Sequence, residues 1–208
     1  MIHPDLQQRR EGLRRLEVIA SACAGIGTSL ITLCTGTRDA ENMWRRHPEN
    51  DSAAAWCDLM DAMTDALAIA ERHGVTLGVE PEPANVINSA TKARRLLDEL
   101  KSPRLKIILD AANLFHPGEL PRMREILDEA FDLLGQDIAL AHAKELGHDG
   151  HAGGLPVGRG GLDWVNHLSR LRQTGFVGAL ILHGVEERDV PESVSFLTPK
   201  LTKVACPT

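Results

Sequence analysis

Short apolar runs alternate along this chain with longer stretches whose apolar residues recur every three or four positions. The clearest run is Leu105-Lys-Ile-Ile-Leu-Asp110, in which Ile107, Ile108 and Leu109 form a block too short for a globular helix. Such a block suits a strand covered on both faces, as in a parallel sheet. Similar runs end near Cys34, at Glu80, at His142 and at His183, so five strands are predicted, centred near Leu30, Leu77, Ile107, Leu140 and Ile181. The helical pattern fills the intervals. It predicts a helix over 4–24, stopped by Gly25 and Gly27, and another from an N-cap at Ser52 through Trp56, Leu59, Met60, Met63 and Leu67 to Gly74. Further helices are expected from Ser89 to Leu100, from Leu120 to Gly135 and from Asp163 to Gly175, and a last one over 191–197, limited by Pro199.

Strand and helix alternate with a period of roughly 30–45 residues, which argues βα units around a parallel sheet. Right-handed crossovers place every strand's carboxyl end on one side, where α/β folds carry their chemistry. Those ends hold Glu80, then Asp110 with Asn113 and His116, then His142 with Lys144, then His183 with Glu186 and Glu187. A lone Asp after a strand caps a turn more often than it reacts; four strand ends carrying an oxygen or nitrogen donor point to a shared site. No linker-like segment interrupts the chain, so residues 1–208 are expected to form one domain.

Composition adds exclusions. With 208 residues, 43% hydrophobic and 25% charged, the chain has the make-up of a soluble globular protein. A net charge of −6 disfavours a nucleic-acid surface. Arg9-Arg10 with Arg14-Arg15 reads as a solvated helix face. No run approaches the roughly 18 apolar residues of a membrane span. The four cysteines lack CxxC spacing and are read as reduced packing residues of a cytoplasmic protein. Trp44, in the polar stretch 38–51, is expected either to wall the pocket or to pack beneath its loop.

Four pieces together resemble the xylose isomerase-like TIM-barrel superfamily, the sugar phosphate isomerases and epimerases that also include endonuclease IV. They are Leu77-Gly-Val-Glu80-Pro-Glu, Ile107-Ile-Leu-Asp110-Ala-Ala-Asn113, Ala141-His142-Ala-Lys144-Glu and Leu155-Pro-Val-Gly158-Arg-Gly160-Gly-Leu-Asp163-Trp164. The resemblance covers essentially the whole chain and begins after the family's early strands. It implies a partial (β/α)8 barrel of about five parallel strands, with the first three βα units missing; a full barrel needs eight strands and typically ~250 residues. Five strands leave two open sheet edges, so homo-oligomerisation through them is expected.

The resemblance also implies one divalent cation (Mn²⁺, Mg²⁺, Co²⁺ or Zn²⁺), held by Glu80, Asp110, His142 and a fourth ligand where the family usually has glutamate. Here His183 stands at that strand end and Glu186 lies just beyond it. The implied activity is isomerisation or epimerisation of a small sugar, sugar phosphate or polyol, by proton transfer next to a metal-polarised oxygen. Glu80 is the candidate base. Glu186, or His183 if it does not ligate, would serve the opposite face. Lys144 would steady an enediolate or a phosphate, and Asn113, Arg159 and His116 are candidate substrate contacts, His116 alternatively packing. His148 and His151 read as loop residues rather than extra ligands. The competing expectations are a catalytically impaired barrel fragment and, disfavoured by charge, an endonuclease.

Overall fold

The computed structural model describes residues 1–116 and 118–204, the side chains of 202–204 excepted. The order is α1 (Leu6–Cys23), β1 (Leu30–Leu33), α2 (Ala53–His73), β2 (Thr76–Val79), α3 (Ala90–Leu100), β3 (Leu105–Asp110), α4 (Met123–Leu134), β4 (Ile138–Ala143), α5 (Trp164–Gln173), β5 (Ala179–Leu182) and α6 (Val190–Val204). The five strands follow chain order in one sheet. The registered pairs β1–β2, β2–β3 and β4–β5 are parallel, which requires a crossover, and each crossover contains a helix. By contact density the chain divides into two compact units, Met1–Ile108 and Leu109–Thr208.

In the first unit the predicted punctuation holds. Ser52 Oγ accepts from the Ala55 N–H at the start of α2, and Ser89 Oγ accepts from the Lys92 N–H at the start of α3. Gly74 ends α2 at φ 67, a conformation open to glycine. The core joins Leu16, Ala20 and Cys23 of α1 to Ile69 and Ala70 of α2 and Leu77 of β2. At Gly78 the strand passes so close to Ile108 that a Cβ would collide with it.

Two expectations fail in this unit. Arg9 is not part of a solvated face: its side chain is 14% exposed and bridges Asp58 at 2.7 Å. Arg14 and Arg15 do stay in solvent. Trp44 does not pack beneath its loop, because it is 58% exposed. Cys23, Cys34 and Cys57 form no disulfide among the described residues, Cys23 being buried; Cys206 lies outside the described residues.

In the second unit Asp163 caps α5 by accepting from the Asn166 N–H. Residues Leu120–Arg122 form a single tight 3-10 turn ahead of α4 rather than its first turn. Pro199 does not limit the last helix, which runs from Val190 to Val204 with the proline inside it. A proline there forfeits one backbone hydrogen bond. Packing of the same helical stretch, where Leu197 is buried, outweighs that loss. Among the described residues no helix is long and apolar enough to cross a membrane.

Candidate active site

β3 is buried on both faces, with Leu105, Ile107, Ile108 and Leu109 all sealed from solvent, and it delivers Asp110 at its end. A carboxylate so placed needs partners, since desolvation alone is costly. Asp110 Oδ1 accepts from the Ala112 N–H at 3.1 Å and starts the short turn Ala111–Leu114. Oδ2 faces the Lys144 ammonium at 2.9 Å, His142 Nδ1 at 3.4 Å and His183 Nδ1 at 3.5 Å. These contacts are electrostatic, because Oδ2 makes no hydrogen bond of regular geometry. Burial pushes this carboxyl up, yet His142, His183 and then the Lys144 charge overcome it and hold Asp110 well below the usual carboxylate range.

The β4 register explains two of the three partners. Alternate residues of a strand face the same way, so His142 and Lys144 both reach Asp110. Lys144 also donates to Asn113 Oδ1 at 2.9 Å. His183, the first residue past β5, stacks on His142 with ring centroids 4.4 Å apart and planes 19° apart. Asp110, His142 and His183 each offer one ligand atom, and these atoms lie within 4.8 Å of one another, so the three could hold a metal ion.

Glu145, the residue after Lys144, was not singled out by sequence reasoning, yet it organises the following loop. It is fully buried. Its carboxylate accepts from the backbone N–H groups of Leu146 (3.0 Å), Gly158 (2.5 Å) and Leu162 (3.1 Å) and from the Trp164 indole N–H (2.9 Å). A Cβ at Gly160 would collide with the Leu146 carbonyl. The readable signal was the glycine run ending at Trp164, whose buried N–H needs an acceptor. Behind it, His167 is fully buried between Phe131 and Trp164, with neither ring nitrogen hydrogen-bonded. Burial lowers its pKa to about 4.

The remaining predicted residues sit elsewhere. Glu80, in the first unit, is buried immediately after β2, and its N–H donates to the Leu33 carbonyl at 2.9 Å. The loop beyond it is tied to the loop after β1: Val86 donates to the Gly36 carbonyl at 3.0 Å, Ile87 to Thr35 Oγ1 at 3.1 Å, and Asn50 Nδ2 to the Ala84 carbonyl at 2.9 Å. His116 is half-buried, its N–H donating to Glu119 at 2.8 Å. Arg159 is exposed and pairs with Glu192. Glu186 does not fold back to the cluster; it is exposed and pairs with Arg188 at 2.8 Å. His151 pairs with Asp149 at 3.3 Å, both in solvent. The second unit thus brings together Asp110, Asn113, His142, Lys144 and His183.

A family profile described as "Xylose isomerase-like TIM barrel" matches residues 1–200. No curated protein matches the chain. Among solved structures, the chain is similar to a xylose isomerase domain protein from Planctomyces limnophilus, at 19% identity and a TM-score of 0.75 over 96% of this chain and 68% of that one. It is similar to a D-tagatose 3-epimerase-like protein at 17% identity and a TM-score of 0.70, covering 97% of this chain and 73% of that one. A xylose isomerase-like TIM barrel protein from Mycobacterium smegmatis, solved in complex with magnesium, gives 14% identity and a TM-score of 0.73, covering 97% and 70%. At these identities the likeness concerns the fold, a partial (β/α)8 barrel of five parallel strands.

Proposed function

Because the chain belongs to the xylose isomerase-like TIM-barrel family, we propose that it is a cation-dependent isomerase or epimerase of a small sugar or polyol. The observation that carries this reading is the convergence of two imidazoles on one buried carboxylate oxygen, Asp110 Oδ2. An oxygen held ionised with no regular hydrogen bond, beside two neutral-capable nitrogens, fits a divalent metal. Asp110, His142 and His183 would hold the cation. When bound, Mn²⁺, Mg²⁺, Co²⁺ or Zn²⁺ would polarise the substrate oxygen next to the carbon that loses its proton. The similarity to a D-tagatose 3-epimerase-like protein supports a ketose as substrate.

Glu80, a carboxylate at a buried strand end, is the base that the family resemblance implies. His183 is preferred to Glu186 as ligand, because Glu186 is already paired with Arg188 in solvent. Asn113 would orient a substrate hydroxyl, and a phosphate on the substrate would find no buried basic seat at Arg159, which is exposed.

The test is solvent-deuterium incorporation into a panel of ketohexoses and ketopentoses, with each of the four metals. Exchange at the carbon beside the carbonyl, abolished by Glu80→Gln without loss of fold, is expected. No exchange with any metal and any ketose would remove the reading, and exchange surviving in Glu80→Gln would move the base to another residue.

A further inference from the structure

Lys144 has a built seat. Its side chain is 10% exposed, and its ammonium lies 2.9 Å from Asp110 Oδ2 and 2.9 Å from Asn113 Oδ1. The aliphatic stem runs past two glycines: a Cβ on Gly184 would stand 3.3 Å from both Cγ and Cε, and one on Gly153 would stand 3.8 Å from Cδ. Gly154 donates to the Gly184 carbonyl at 2.9 Å, closing that channel. Both glycines hold positive φ, +66 and +83, so larger side chains are disfavoured on conformation as well as space.

The seat matters because of which oxygen it uses. Asp110 Oδ1 is occupied by the Ala112 N–H, so Oδ2 is the atom left for a cation, and Lys144 already neutralises it. An ammonium and a divalent ion cannot share one oxygen without strong repulsion. Building on the metal-centre reading above, we propose that Lys144 is a built-in competitor for the cation at Asp110. The ammonium balances the buried carboxylate, and cation binding requires it to withdraw toward Asn113, whose oxygen lets it move without losing every partner. The apparent affinity is then the intrinsic one reduced by the work of displacing Lys144, as for any ligand that must select a minor arrangement.

The experiment is calorimetric titration of the chelator-treated full chain with Mn²⁺ and with Zn²⁺, alongside thermal melting in EDTA and in saturating Mn²⁺. Lys144→Met keeps the stem and removes the charge. It is expected to bind roughly tenfold tighter than wild type, within the usual range of coupling between sites. It should also melt lower in EDTA and gain more from Mn²⁺ than wild type does, since its buried carboxylate then lacks a counter-charge. Asn113→Leu takes away the retreat and should bind about threefold or more weaker, so the proposal stays testable if Lys144→Met does not fold. Wild-type binding with Lys144→Met no tighter, or Asn113→Leu unchanged, overturns the proposal and leaves the metal centre standing. Failure of wild type and both variants to bind either metal overturns the metal centre and this proposal together.

Discussion

β3 and β5 both finish on a group aimed at Asp110 Oδ2 or carrying it, but they reach that point in opposite ways. β3 is buried along nearly its whole length and Asp110 is sealed. β5 alternates between exposed and half-buried positions, Ile181 is 45% exposed, and the His183 side chain is 48% exposed. β5 also lies at the end of the sheet order, with Val177 beside it in full solvent. The carboxylate is therefore placed by the packing of a strand. The second imidazole is placed by its stack on His142 and by the bond from its backbone N–H to the Ala143 carbonyl. A site assembled from one rigid and one loosely held donor should respond unequally to damage at its two ends.

The largest contrast should be in stability. Ile108→Ala should cost about 2–5 kcal/mol, the usual range for emptying a sealed position, while Ile181→Ala should stay within about 0.5 kcal/mol. Urea melts of the two variants measure this, and equal losses would mean that β5 is as structural as β3.

The next contrast sets a buried histidine against the exposed strand and is read by pH. His167 titrates near 4 in the fold because burial disfavours its charge, against an ordinary value of 6.5. A depressed folded pKa means the unfolded chain takes up the proton first. The stability is complete above pH 6.5 and declines as pH falls toward 4, by roughly 3 kcal/mol in total. His167→Leu should flatten that part of the pH–stability curve, whereas Ile181→Ala should leave it in place. A curve unchanged by His167→Leu would show that other groups set the acid limb.

Cation binding should separate the same two ends by a smaller energy. On the metal-centre proposal, Asp110→Asn should weaken Mn²⁺ at least about 100-fold, and His183→Ala about tenfold, since its ligand is the more loosely held. The reverse order, measured by titration, would make β5 the anchor.

The smallest effect is expected at the open edge. β5 borders a largely apolar hollow of about 420 Å³ lined by Leu168, Leu171, Arg172, Phe176, Leu180 and Leu201, and Val177, just before the strand, is exposed. Weak, concentration-dependent self-association through this edge is expected from light scattering, and Val177→Lys should suppress it by a few tenths of a kcal/mol. A wild-type monomer at every concentration would show that the edge is adequately protected.

The parts of the molecule that could be read in advance are those governed by local rules. Ser52, Ser89 and Asp163 cap helices because each follows a non-helical stretch and offers a short oxygen to the first turn. Asp110 was legible because an apolar block that ends on a carboxylate carries a charge to the brink of the core, where it needs a partner. What was not legible depended on distant partners. Glu145 looks like a continuation of the His142–Lys144 stretch until Gly158, Leu162 and Trp164 fold back on it. Pro199 reads as a stop because its own turn is weakened, while the burial of Leu197 that holds α6 together shows only in the packed structure. Lys144 could be named, but its pairing with Asp110 could not, because two residues on different strands meet only through sheet register.

The Glu145 anchorage has a practical consequence for redesign. Three of its hydrogen bonds hold the loop at Leu146, Gly158 and Leu162, and the Gly153 N–H bonds to its own carbonyl at 2.8 Å. Between these fixed points His148 to His151 are largely solvent-facing, closed on themselves by a bond from the Gly147 N–H to the His151 carbonyl at 2.8 Å. That tip is a natural splice point, where foreign residues can be grafted while the clasp beneath keeps Lys144 where it is.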